Sequence, residues 1–146
     1  DSNPFTPAVN LYFGLEAALD MMQKEGLEAI FARHERHRAA AQAGMEAIGL
    51  PLFAATGHGS PAITAVAPEG LDAELLRKTV KEKFDILLAG GQDHLKGKVF
   101  RIGHLGYVCD RDVLTAVSAI EATLQSLGLH KGTMGAGVAA TSAALG

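Results

Sequence analysis

The chain has 146 residues, 48% hydrophobic and 20% charged, enough to enclose one hydrophobic core and too few for two ordinary domains. Thirteen Lys and Arg against sixteen Asp and Glu leave a formal charge of −3. That lacks the basic excess which holds a phosphate backbone, so no nucleic-acid partner is expected. Cys109 is the sole cysteine; it permits neither an internal disulfide nor a cysteine-based zinc cluster, and this usage fits a reducing, cytoplasmic compartment. Charges or glycines interrupt every apolar run before the roughly twenty residues of a membrane-spanning helix, so no membrane partner is expected. The opening Asp1-Ser2-Asn3-Pro4 carries no initiator Met, basic segment or apolar signal core, and reads as a hinge within a larger protein.

Asn3-Pro4-Phe5-Thr6-Pro7 is held extended, because each proline fixes its own φ and pushes its predecessor toward β geometry. After it, Val9, Tyr12, Phe13, Leu15, Leu19 and Met22 recur at helical spacing up to a stop at Gly26. A second helix is predicted over 27–48, with Ile30, Phe31, Met45 and Ile48 on one side and Arg33, Glu35, Arg36 and Arg38 on another. Gly57-His58-Gly59-Ser60-Pro61 breaks regular structure, and residues 62–67 read as a first short strand closed by Pro68 and Gly70. Asp72 opens a charged helix to about Lys83, whose predicted buried stripe is Leu75, Leu76, Val80 and Phe84. Ile86-Leu87-Leu88-Ala89 is a brief strand, Gly90-Gly91 breaks the chain, and Val99-Phe100-Arg101-Ile102 is a third strand halted at Gly103. Asp110 caps a last helix whose apolar positions Val113, Leu114, Val117, Ile120 and Leu124 run out at Gly128.

The order ααβαββα predicts an α+β fold, a small antiparallel sheet covered on one face by helices. Three stretches are expected: an extended segment over 1–9, a domain over 10–128, and a flexible Gly/Ala-rich tail over 129–146. Residues 132–146 are almost all Gly, Ala, Ser, Thr and Val, with little apolar surface to offset the entropy of ordering them.

Arg101 is the residue whose chemistry stands out. Strand alternation puts it on the face of Val99, opposite Phe100 and Ile102. A guanidinium there can grip a small carboxylate through two parallel hydrogen bonds, or can pair with a structural Asp or Glu. His34 and His37 lie three apart on the second helix, but three arginines crowd them, which opposes a metal ion and favours a solvated face. His104 can orient a ligand or serve the fold. Cys109 has no partner of CxxC spacing and reads as a buried, inert thiol. Gly135-Ala136-Gly137 follows no predicted strand, so it is not a dinucleotide fingerprint.

Three strings carry more than physics alone. Asn3-Pro4-Phe5-Thr6-Pro7-Ala8-Val9, Gly26-Leu27-Glu28-Ala29-Ile30-Phe31-Ala32-Arg33-His34 and above all Gly97-Lys98-Val99-Phe100-Arg101-Ile102-Gly103-His104-Leu105-Gly106 resemble the class V pyridoxal-phosphate aminotransferases. The resemblance runs from Asn3 to about Leu127 and is greatest to the alanine–glyoxylate and serine–glyoxylate branch, some cyanobacterial members of which are named soluble hydrogenase small subunit. It implies the carboxy-terminal small domain of a homodimeric enzyme that moves an amino group from a small amino acid, alanine or serine, to glyoxylate. The cofactor it implies is pyridoxal 5'-phosphate, with the catalytic lysine in a large domain preceding Asp1, so that no catalytic residue falls in this chain and the chain by itself is inactive. Arg101 matches the family arginine that holds the substrate α-carboxylate. Some relatives contact the neighbouring subunit's cofactor phosphate through a Tyr and a Thr in the first string; this chain has Asn3, Phe5 and Thr6 there, and Thr6 takes the assignment. His104 is typical of the motif, with no role carried over. The other readings are a hydrogenase-associated subunit and a non-catalytic interaction module.

Overall fold

A computed structural model describes residues 4–146; Asn3 of the expected phosphate-reaching segment lies outside the described residues. The chain divides into two compact units, Asp1–Arg33 and His34–Gly146.

In the first unit, Val9 is already helical. Helix α1 (Val9–Glu25) ends at Gly26, whose φ of 87° is the conformation that glycine adopts without penalty. Arg33 closes the unit by donating from Nε and Nη2 to the two carboxylate oxygens of Glu25, at 2.6 and 3.0 Å. Helix α1 buries none of its residues: Leu11 is 74% exposed and Phe13 64%. Helix α2 (Leu27–Ala47) begins here and continues into the second unit.

The second unit is built on three strands, β1 (Ile63–Val66), β2 (Ala89–Gly90) and β3 (Phe100–Gly103), all antiparallel in the order β1-β3-β2. Helices α3 (Ala73–Phe84) and α4 (Asp110–Ser126) bring Leu76, Val80, Val117, Ile120 and Leu124 into one cluster with Val66, Phe100 and Ile102 of the sheet and Met45 and Ile48 from around the end of α2. That is the α+β arrangement the alternating pattern predicts. Asp72 caps α3 by accepting from Glu74 N at 2.8 Å, satisfying an orphan amide of the first turn. The stripe of α3 is narrower than its apolar residues suggest, since Leu75 and Phe84 are exposed. An added bridge pairs Leu52 with Val66, and no helix among the described residues is long and apolar enough to cross a membrane.

Where composition predicts a flexible tail over 129–146, the structure has a fifth helix, α5 (Ala136–Leu145). Small side chains are the reason it packs. Gly44 of α2 leaves no room for a Cβ beside Thr141 and Val117, and a Cβ on Gly137 would stand 2.8 Å from Ile48 Cγ2. Backbones approach closely where residues are small, so contact replaces side-chain bulk. The amino end of α5 is held by a buried carboxylate: Glu121 Oε1 accepts from Gly135 N at 2.9 Å and lies 3.2 Å from His130 Nε2. An acidic group at a helix N-terminus satisfies free amides and complements the dipole.

Candidate functional site

The run Val99-Phe100-Arg101-Ile102-Gly103 alternates, and the sheet converts that alternation into two faces. Phe100 and Ile102 are buried in the core, whereas Arg101 is half-buried on the other side. Its cross-strand partners are Ala65 on β1 and Ala89 on β2, so nothing larger than a methyl group flanks the guanidinium in its own row.

Arg101 is aimed by the β2 edge. Its Nε donates to the Gly90 carbonyl at 3.0 Å. Beneath that strand Arg77 of α3 donates from Nε to the Leu88 carbonyl at 2.8 Å and from Nη1 to Glu74 Oε2 at 2.6 Å. The Arg77 side chain lies so near Gly90 that a Cβ there would sit 2.6 Å from Arg77 Nη1. The Gly90-Gly91 pair read as a chain break thus puts its first glycine inside β2, and the strand is shifted from the predicted 86–89 to Ala89–Gly90. The absence of a side chain there lets Arg77 hold the strand from below while Arg101 grips it from above.

Four other arginines pair with carboxylates: Arg33 with Glu25, Arg36 with Asp110, Arg38 with Glu35, Arg77 with Glu74. Among the described residues the Nη groups of Arg101 make no hydrogen bond or ion pair. With Nε engaged, the two Nη groups form the free end of the fork, a geometry that accepts a carboxylate end-on through two bonds.

His104 follows β3 and is wholly buried. Its backbone N donates to the Ala62 carbonyl at 2.9 Å, and its Nε2 lies 2.9 Å from Thr64 Oγ1, while among the described residues no group meets Nδ1 at hydrogen-bond geometry. Burial pushes the imidazole below its ordinary pKa, the Pro61 carbonyl opposing and the neighbouring His37, His34 and Arg38 reinforcing. Thr6 is exposed in the stretch before α1, in the other unit from Arg101.

Two residues depart from their expected settings. His37, expected on a solvated face, is buried, with Nε2 2.8 Å from Asp110 Oδ1, the same oxygen that accepts from Arg36 Nη2 at 2.8 Å. The Arg36 guanidinium, then His37, holds the Asp110 carboxyl below the usual carboxylate range. Cys109 is exposed rather than buried and is itself the N-cap of α4, in place of Asp110; Asp112 Oδ2 accepts from its backbone N at 2.9 Å. Sequence reasoning missed Glu121 and its buried pairing. Its place on the apolar side of α4, beside Ile120 and between Val117 and Leu124, is the signal that could have found it.

No family model matches the chain. A curated relative from a Synechococcus species, named soluble hydrogenase, small subunit, is 62% identical over 144 residues, 99% of this chain and 38% of the relative. Serine–glyoxylate aminotransferase of Arabidopsis thaliana is 38% identical over 141 residues, 95% of this chain and 35% of its own length. Among solved structures, pyridoxamine–pyruvate aminotransferase from Mesorhizobium loti superposes with a TM-score of 0.91 at 34% identity, covering 99% of this chain and 38% of that one. The chain therefore spans little more than a third of the length of the relatives it matches.

Proposed function

We propose that this chain, a homologue of the class V aminotransferases over nearly all its length, is the carboxy-terminal domain of such an enzyme and supplies the arginine that grips the substrate carboxylate. The reaction is transfer of an amino group from a small amino acid, alanine or serine, to glyoxylate, carried out by a homodimer of longer chains. One observation carries the reading: Arg101 presents two Nη groups that are unengaged among the described residues, on a sheet face floored by Ala65 and Ala89, with Nε fixed to the Gly90 carbonyl. An arginine that only stabilised the fold would be expected to meet an acid, as Arg77 does.

Pyridoxal 5'-phosphate supplies the electron sink in enzymes of this kind. Each of the seven lysines, Lys24, Lys78, Lys81, Lys83, Lys96, Lys98 and Lys131, is solvent-exposed. An exposed ammonium lacks the desolvation that makes a lysine a nucleophile, which supports placing the catalytic lysine elsewhere in the enzyme. The catalytic lysine belongs to the part of the longer relatives that this chain does not span, and the chain alone is expected to be inactive. Thr6 is assigned a hydroxyl contact to the cofactor phosphate of the neighbouring protomer.

The role left to Arg101 is orientation. Amino donor and keto-acid acceptor share a carboxylate, and a fixed guanidinium holds both so that the reacting carbon is presented in one pose. In an enzyme of full family length, Arg101→Ala is expected to raise KM for donor and glyoxylate alike by about tenfold or more, equivalent to about 1.4 kcal/mol of lost binding, with cofactor absorbance unchanged. Unchanged KM for both would remove the assignment. The hydrogenase name borne by two relatives is tested on the same protein: transamination without hydrogen exchange supports the present reading, and the reverse sinks it.

A further inference from the structure

Arg101 is reached by one contact on the β2 side, the Gly90 carbonyl. On the β1 side the ladder continues past the strand itself. Ile63 pairs with Gly103 and Thr64 with Ile102, and His104 N then donates to the Ala62 carbonyl at 2.9 Å. Thr64 and His104 are diagonal neighbours in this register, and alternation puts both on the buried face, the reverse side of the sheet from Arg101. Both are essentially unexposed, at 1% and 0%.

A hydroxyl and an imidazole in an apolar core need a reason, because valine would fill the place of Thr64 without a polar atom to satisfy. The 2.9 Å contact between Thr64 Oγ1 and His104 Nε2 is that reason. It is directional where the surrounding Val66, Phe100 and Ile102 contacts are not, so a slide of β3 along β1 would break it. The row affected is the adjacent one, Ala65 with Arg101.

We propose that Thr64 and His104 are a positioning pair for Arg101: their hydrogen bond on the buried face sets the register and tilt of β3, and so the place of the guanidinium on the open face. The proposal rests on the reading of Arg101 as the carboxylate-binding group. Neither residue touches substrate, and the pair acts through the strand. The groups facing His104 are Thr64 and the Pro61 carbonyl from the β1 side and His34, His37 and Arg38 from α2, and among these Thr64 provides the close contact to the ring.

Two measurements test it. In the 146-residue chain, NMR of the Arg101 side chain reads solvent exchange of its Nε proton, the one given to Gly90. Thr64→Val is expected to speed that exchange several-fold, and Thr64→Ser, which keeps the hydroxyl, to restore it. In an enzyme of full family length, Thr64→Val is expected to raise KM for donor and glyoxylate by about threefold to tenfold while kcat stays within about twofold, a loss of orientation binding rather than of chemistry, and Thr64→Ser to return KM to its original value. Should Thr64→Val fail to fold, His104→Gln, which offers an amide to the same hydroxyl, replaces it, with retained protection and KM expected and their loss counting against the pair. Unaltered exchange and KM in folded Thr64→Val overturn the proposal whatever Arg101→Ala does. If Arg101→Ala leaves KM unchanged, the carboxylate reading fails instead, and the exchange rates still decide whether the pair fixes the strand.

Discussion

The two faces of β3 are made by adjacent residues and obey different physics. Phe100 is wholly buried and Ile102 is 3% exposed in a cluster fed by α2, α3 and α4, while Arg101 between them stands on a row of alanines with its Nη groups unengaged among the described residues. One face carries the stability and the other carries a charge with no acidic partner among the described residues. The strand is what allows the two to be separated, because neighbouring side chains leave it in opposite directions. A rigid, packed underside is also what a binding group needs if its position is to hold to within a fraction of an ångström.

That separation can be broken deliberately. The largest effect is expected for Phe100→Ala, which empties a large volume in the core and should cost about 3–5 kcal/mol of unfolding free energy in urea titration. Arg101→Ala in the same titration should cost less, about 1–2 kcal/mol, because it removes a half-buried side chain with a single hydrogen bond, from the guanidinium to a carbonyl. Comparable losses in both would mean that the arginine serves the fold. Next comes Gly44→Ala, whose Cβ would drive against Thr141 and Val117. Overpacking of this kind costs about 1–3 kcal/mol, and limited proteolysis should show α5 released before the sheet.

The smallest effect concerns pH. His104 has its folded pKa depressed below 6.5 by burial, so below that value the unfolded chain binds the proton more readily. Its contribution is fully present above about pH 6.5 and is lost as pH falls through the folded value. The urea midpoint should therefore drop between pH 7.5 and pH 5, and His104→Gln should flatten part of the slope. An undiminished slope in that variant would assign the pH dependence to other groups.

Much of this was legible in the chain itself. Periodicity marked α1 to α4, and β1 and β3 lie within a residue or so of their predicted places, because apolar spacing, glycine stops and the Asp72 cap all agree there. Arg101 was legible too, as a permanent charge inside an alternating strand and within a specific motif. Other features were hidden by the same rules. Helix α5 escaped notice because hydrophobic bulk was taken as the measure of packing, whereas Gly137, Gly44 and Thr141 pack by closeness. Helix α1 shows the converse, with strong apolar spacing and no buried residue; an amphipathic pattern states that a face wants covering, not what covers it. His37 looks solvated in sequence, and Glu121 was passed over, because their partners Asp110 and Gly135 are distant along the chain or on the backbone.

The central claim is that Arg101 recognises a carboxylate. It is tested most directly by competitive inhibition of the full-length enzyme with an unreactive small carboxylate and its neutral amide analogue. The original enzyme should prefer the carboxylate by about tenfold or more, and Arg101→Ala should bind the two alike. A preference that survives intact in Arg101→Ala would contradict the account.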